Sequence, residues 1–376
     1  MRKKIFLLLI PVFIIVLTQF TISNIKLLRF PAQDFEVFYL AGKYALNNEN
    51  PYQKITGKDP FKNPPPALLV FTPLAILPIL QSQILWFLLS ITSFLIASFF
   101  LFRIVNWKGW KIWLIFLTAS LLFFPMRYNL GSGQINNFLF LLIVLSFYYL
   151  KTNSILSPLG LASAIALRVT PIFFLLTLFL QSRIKLISKT FLGLLSLSII
   201  SLIFFGPHIF SNYLTAGGTY FDFGISAYYN QSLAGFLSRT IQYPQINWII
   251  ILTSLTLALI HLIRQTRVIS KNPLKDIVIW SISILYILIF APYTWQYNFV
   301  IVIFSLIATC YLSQKLKLSS VFFFFVGLSY LLIGANIKNP TIFSGFFGGI
   351  ILSHVLIGTL ILLFLNLYIL KKLSKT

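Results

Sequence analysis

Carboxylates are scarce in this 376-residue chain: it has six acidic residues against 29 Lys and Arg. The one best placed for proton transfer is Asp34, in the stretch Pro31-Ala32-Gln33-Asp34-Phe35-Glu36 that follows the first apolar run. A carboxylate there can take a proton from an attacking hydroxyl, or it can cap the helix that follows it. Glu36, two residues on, points elsewhere on a helix and reads as structural. Arg168 lies between two short apolar pieces. A cation at mid-bilayer costs about 2.5–3.5 kcal/mol on insertion scales, so it should face a cavity and meet an anion. That anion is either a lipid phosphate or an outer carboxylate. Arginine suits phosphate because it stays charged and binds in a planar fork. Arg127 and Arg239, in polar segments, are further phosphate candidates, with solvated surface charge as the alternative. Gln134, Asn137 and Asn230 can bind the hydroxyls of a polar substrate, or cap helices and join them to one another.

Other chemistries find less support. His208, His261 and His354 have no neighbouring His, Cys or carboxylate at metal-ligand spacing, so no metal site is expected. Asp34 and Glu36 are too few for a magnesium site. Gly131-Ser132-Gly133 and Gly217-Gly218 lack the strand–loop–helix context of a nucleotide-phosphate loop, and no cofactor is implied. The lone Cys310 allows no disulfide framework. A net charge of +23 suggests nucleic acid at first sight. The basic residues, however, fill short gaps between apolar segments, where topology and anionic lipid account for them. No nucleic-acid partner is expected.

Membrane helices carry these residues. Hydrophobic residues make up 58% of the chain and charged residues 9%, against roughly 45–50% and about 25% in soluble domains. The expected fold is an all-α polytopic membrane protein, one domain over 1–376. About ten spans are predicted, near 5–22, 81–105, 112–126, 134–150, 187–206, 247–263, 277–292, 298–313, 319–335 and 346–369. The first reads as a retained signal-anchor helix, since no small-x-small cleavage site follows it. Two pieces, 155–168 and 171–181, are each too short to cross. They are separated by Arg168-Val169-Thr170-Pro171, and Pro171 breaks a helix, so they read as a re-entrant half-helix pair. With that pair returning to the side it left, most Lys and Arg residues fall on the inside. Asp34, Glu36, Glu49, Asp59 and Asp222 then fall outside and Asp276 inside. Both termini are therefore expected to be cytoplasmic, and the long polar segments 23–66 and 207–246 extracytoplasmic, where the active site would lie. Phe35, Phe38, Tyr39, Ala41, Gly42 and Ala45 form a stripe suited to an interfacial helix. Most of the remaining Phe is expected to face lipid.

Several of these features occur together in a known pattern. An Asp follows the first span, then comes the turn Asn50-Pro51-Tyr52, then Pro64-Pro65 with an apolar run. Gly133-Gln134-Ile135-Asn136-Asn137, Gly160 through Arg168-Val169-Thr170-Pro171, Asn230-Gln231-Ser232-Leu233 with Arg239, and Pro292 to Trp295 continue it in order. In these features the chain resembles glycosyltransferase family eighty-seven, membrane enzymes of the GT-C class that take sugars from polyprenyl-phosphate carriers. The chain departs from the pattern at Asn63, where the family often has Tyr, and at Arg168, where it often has Lys. It also has Gln296, Tyr297 and Asn298 where one or two His often follow the Trp.

The resemblance implies a GT-C-like bundle and an inverting sugar transfer, mannose favoured, from a polyprenyl-phosphate donor to an extracytoplasmic glycan or glycolipid. Asp34 would be the base. Arg168 with Arg127 or Arg239 would hold the donor phosphate, and Gln134, Asn137, Asn230, Trp295 and Gln296 would contact substrate. The competing readings are a transporter or flippase of lipid-linked sugars and a non-catalytic membrane assembly subunit.

Overall fold

The protein is described by a computed structural model that covers residues 2–53, 60–152, 154–217, 224–241, 243–268 and 274–374. Asp59 and Asp222, placed outside by the charge map, and Lys271 and Lys375, placed inside, lie beyond the described residues.

Helices dominate. In chain order they are α1 (Arg2–Asn24), α2 (Gln33–Leu46), α3 (Leu68–Leu74), α4 (Ile79–Ile104), α5 (Trp110–Leu122), α6 (Phe124–Ser132), α7 (Asn136–Tyr148), α8 (Leu156–Leu167) and α9 (Phe173–Leu180). They continue with α10 (Ile184–Phe205), α11 (His208–Gly217), α12 (Leu233–Thr240), α13 (Pro244–Val268), α14 (Lys275–Phe290), α15 (Val302–Lys315), α16 (Ser320–Gly334), α17 (Gly345–Ile351) and α18 (His354–Leu373). Six helical segments of the described residues are long and apolar enough to cross a membrane, or seven if α5 and α6 count as one bent span. The protein is thus a multi-pass membrane protein, with fewer full-length crossing helices than the ten expected. The reason is length. Helices α7, α14 and α16, at the expected spans 134–150, 277–292 and 319–335, have 13, 16 and 15 residues. At 1.5 Å per residue each falls short of a hydrocarbon core roughly 30 Å thick.

Two expected spans are also interrupted. The helix predicted over 112–126 ends at Leu122 and bends by 66° into α6, so Arg127, Tyr128 and Asn129 are helical rather than loop. The span predicted over 346–369 breaks between Ile351 and His354.

By contacts the chain forms two compact units. The first comprises 1–122, 126–171 and 185–223. In it α7 packs against both α4 and α8, α1 against α5, and α2 against α3. The α2 stripe is present as expected, but Phe35, Phe38, Ala41, Gly42 and Ala45 are turned into protein and buried. Phe38 stacks on Phe71 at 4.7 Å, and Phe61 meets both rings edge-on. Gly42 lets α2 approach this closely, since a Cβ there would lie 2.5 Å from the Phe71 carbonyl oxygen.

The second unit comprises 123–125, 172–184 and 224–376. Its centre is α14, buried at every position from Ile277 to Ile289 and packed against α9, α15 and α18. At its start Asp276 pairs with Arg183 at 3.1 Å and accepts from Gln181 Nε2 at 2.9 Å, tying α14 to the end of α9. The half-helix pair thus divides between the units, α8 belonging to the first and α9 to the second. Much of the Phe expected to face lipid is core instead: Phe61, Phe71, Phe123, Phe140, Phe174, Phe299 and Phe304 are among the largest fully buried side chains.

Candidate functional site

In the first unit the approach to Asp34 is fixed from inside α4. Gln83, 2% exposed within an otherwise apolar helix, accepts from the Ala32 N–H and donates to the Leu27 and Phe30 carbonyls. These bonds anchor the chain just before α2 begins. The N-cap position of α2 is Ala32, not Asp34. Asp34 and Glu36 both lie in the first turn and are half-buried. Their charges there favour the helix N-terminus, but neither supplies the cap.

The first turn of α2 presses on the turn between α6 and α7. Trp86 Nε1 donates to the Gly133 carbonyl at 2.8 Å. The Trp86 ring lies 6.1 Å from Phe35 and 4.4 Å from Phe138. Gly133 has φ +76°, and a Cβ on it would lie 2.5 Å from Phe35 Cβ. Only glycine meets both demands. Gly133→Ala is therefore expected to destabilise the protein by about 1–3 kcal/mol, as small-to-large changes in packed sites do, and to lower Tm. Gly131→Ala is the control. Its methyl would meet only Asn24 Oδ1, at 3.8 Å, and Tm should stay unchanged.

Three residues past Gly133 the same turn reaches Arg168. Helix α8 ends at Leu167, and Arg168 takes an extended conformation (φ −154°, ψ 133°), as the Pro-linked break predicted. Its Nη1 donates to Asn136 Oδ1 at 2.9 Å. Asn136 is itself held, donating through its backbone N–H and its Nδ2 to Asn129 Oδ1. The backbone before Arg168 is held from another direction. Asn63 Nδ2 donates to the Leu167 carbonyl at 2.8 Å, and the Asn63 carbonyl accepts from the Tyr52 hydroxyl. Tyr52 is placed by the Asn50-Pro51-Tyr52 turn, where its N–H donates to Asn50 Oδ1 at 2.9 Å. Asn63 thus supplies a brace through its amide where the resemblance led one to look for a Tyr.

A continuous set of contacts therefore joins the Asp34 turn, through Phe35 and Gly133, to Asn136 and Arg168. Of the other expected residues in this unit, Gln134 is buried and its N–H donates to the Asn129 carbonyl. Asn137 donates to Ser90 Oγ at 3.0 Å, and its Oδ1 is buried without a hydrogen-bond partner. Arg127 is exposed on α6.

In the second unit two loops are joined by an isolated β-bridge between Asn230 and Trp295. Gln231 N–H donates to the Thr294 carbonyl at 2.8 Å, and Gln296 N–H to the Tyr229 carbonyl at 2.9 Å. Asn230 is saturated by this junction: its Nδ2 donates to the Ile225 and Pro292 carbonyls, and its Oδ1 accepts from the Ser232 and Thr294 N–H groups. Arg239 gives Nη1 to the Ala227 and Asn230 carbonyls and Nη2 to Ser353 Oγ, each at 2.8 Å. Burial pulls its pKa down to about 10, which leaves it charged at neutral pH. Trp295 is half-buried and Gln296 fully buried.

Sequence reasoning did not single out Gln83, Trp86, Asn129 or Asn136 as positioning residues. The available signal was polar groups inside apolar segments, which in a membrane protein must find partners. His354, set aside as an isolated histidine, lies 3.1 Å from the Tyr228 hydroxyl through Nε2, and its Nδ1 is 2.7 Å from the Leu332 carbonyl.

Comparison with protein-family models matches residues 61–292 to the one described as Glycosyltransferase family 87. The matched stretch contains Arg127, Gln134, Asn137, Arg168, Asn230 and Arg239; Asp34, Trp295 and Gln296 fall outside it. No curated protein and no solved structure matches the chain.

Proposed function

Since this chain belongs to glycosyltransferase family 87 and is an enzyme that transfers sugar, we propose that it moves one sugar, mannose favoured, from a polyprenyl-phosphate donor to a glycan or glycolipid on the extracytoplasmic side, with inversion. The observation that carries this reading is the set of contacts from the Asp34 turn to Arg168. It links a carboxylate-bearing turn, through Phe35 and the Gly133–Asn136 segment, to a braced cation, which is what this reading needs.

In the proposed step an acceptor hydroxyl oxygen attacks the anomeric carbon from the face opposite the phosphate. The bond from that carbon to the phosphate oxygen breaks, and its electron pair leaves with polyprenyl phosphate. The Asp34 carboxylate takes the hydroxyl proton. Arg168 holds the phosphate and stabilises the charge that grows on it. Asn136 supports this by fixing one edge of the guanidinium, which pre-sets the planar geometry phosphate requires. Arg239 fits the phosphate role less well, because three protein acceptors already hold its Nη atoms. Arg127, exposed on α6, has the freer approach of the two.

The test is transfer by the purified protein in lipid vesicles supplied with a radiolabelled polyprenyl-phosphate mannose and a glycolipid extract. A new glycosidic bond with release of polyprenyl phosphate is expected. Movement of the labelled lipid across the bilayer with no bond made would instead favour a flippase. Mass spectrometry of glycolipids from a strain lacking the protein identifies the product by its loss.

A further inference from the structure

Helix α11, in the first unit, packs on the frame around Arg168. The preceding helix, α10, is long and apolar enough to cross a membrane and ends at Phe205; the chain turns at Gly206, with φ +75°, and α11 begins at His208. Residues three and four apart share a helix face. On α11 Ile209 is buried and Tyr213, one turn on, is half-buried, while Ser211, Leu214 and Thr215 are exposed. One side of this short helix is therefore committed to protein. Two contacts identify its partner. Helix α11 packs against the 3-10 turn Pro65–Ala67, whose residues are all buried and which also packs against α8, the helix that leads into Arg168. The Tyr213 ring meets the Tyr52 ring with centroids 5.4 Å apart.

Tyr52 gives that contact a direction. It is 3% exposed, and its hydroxyl donates to the Asn63 carbonyl, while the Asn63 amide donates to the Leu167 carbonyl at 2.8 Å. The Arg168 N–H closes the last turn of α8 on the Ala164 carbonyl at 3.0 Å. Tyr52 also meets Phe61 at 5.4 Å, and Phe61 meets Phe38 on α2. The phenol is thus seated between two rings, and aromatic pairs of this kind stabilise beyond the area they bury. Without the Tyr213 ring one wall of the seat is missing. The Tyr52 ring can then turn, and turning carries its hydroxyl away from the Asn63 carbonyl.

We infer that Tyr213 is a positioning residue for sugar transfer: it seats Tyr52 and, through Asn63, sets the backbone from which the Arg168 guanidinium reaches the donor phosphate. This rests on the reading of Arg168 as the phosphate ligand. Tyr213 acts through Tyr52 and Asn63, and the Asp34 turn has its own anchor in Gln83. Its loss therefore weakens donor binding and spares proton transfer.

One arm of the test needs no reaction. Hydrogen exchange is followed by mass spectrometry in lipid nanodiscs for the wild type, Tyr213→Ala and Tyr213→Phe. Tyr213→Ala should speed exchange over 164–170 by about three- to ten-fold, the size of one lost aromatic pair, and leave α12 at the wild-type rate. Tyr213→Phe keeps the ring and should match the wild type. Where Tyr213→Ala does not fold, Tyr52→Phe takes its place: both ring contacts stay, the bond to Asn63 goes, and the same segment should loosen. The other arm is kinetic. In transfer from a radiolabelled polyprenyl-phosphate mannose, Tyr213→Ala should raise donor KM about three- to ten-fold, with kcat and acceptor KM close to wild type, and Tyr213→Phe should restore it. Exchange that rises equally in both segments, or in neither, overturns the inference, as does a wild-type donor KM in Tyr213→Ala. A wild-type protein that transfers no mannose counts against the proposed function only, because the exchange arm still decides whether Tyr213 sets the backbone at Arg168.

Discussion

Asp34→Asn is expected to lower kcat for sugar transfer by about 10²–10⁴-fold, the usual contribution of a positioned base, with donor KM changed little. The reasoning starts from the place of the carboxylate. Asp34 sits in the first turn of α2, half-buried, on a turn fixed from three directions. Gln83 anchors the chain before it, Phe35 packs on Gly133 behind it, and the Phe38–Phe71 stack holds the next turn of the helix. An amide of the same shape preserves those contacts but cannot take a proton. It also removes a negative charge from a helix N-terminus, which is worth about 0.3–1 kcal/mol. Glu36→Gln separates the two effects, because it removes a charge from the same turn. Wild-type kcat in Glu36→Gln beside loss in Asp34→Asn supports the base. Wild-type turnover in Asp34→Asn would remove the assignment, and equal losses in both variants would trace the effect to helix stability, which a melting curve reads directly.

The parts legible in the sequence were those set by local pattern. Apolar runs marked nearly every long helix, and α1, α4, α10 and α13 lie close to their expected bounds. The α2 stripe, the Asn-Pro-Tyr turn and the break at Arg168 were equally local. What failed was decided elsewhere in the chain. A run of hydropathy cannot distinguish a lipid-facing helix from one buried on all sides, so α14 read as one span among others and the buried Phe residues read as membrane-facing. Hydropathy also passes straight through the bend at Phe123, because the residues on both sides are apolar. The candidate site divided in the same way. Asp34 and Arg168 were visible as rare charges in an apolar chain. Their supports were not, because those partners are far apart in sequence: Asn63 and Leu167 by 104 residues, Gln83 and Leu27 by 56, Arg168 and Asn136 by 32. An asparagine or glutamine in an apolar run announces that it needs a partner without saying which one.

Arg168 carries the second large expectation. Arg168→Ala should lower kcat/KM for the polyprenyl-phosphate donor by about 10²–10³-fold, comparable to removing one preorganised donor from an oxyanion site. Arg168 is braced at its guanidinium and through the backbone before it. Asn136 accepts from its Nη1, and Asn63 holds the carbonyl of the residue before it. Arg168→Lys keeps the charge but not the planar fork, so it should recover only part of the loss. Asn136 offers a sharper test because it touches Arg168 while lying in a different helix. Asn136→Ala releases one edge of the guanidinium and should reduce kcat/KM by about ten-fold, the size of one hydrogen bond to a charged group. Asn136→Asp goes further. It places a carboxylate where a neutral oxygen now accepts, so Arg168 would be neutralised from within and donor KM should rise more than in Asn136→Ala. A merely structural asparagine predicts something else: both variants would lose stability together, with no preference for the donor over the acceptor. If Arg168→Ala instead binds and turns over donor like the wild type, the phosphate is held elsewhere and Arg127 becomes the first arginine to test.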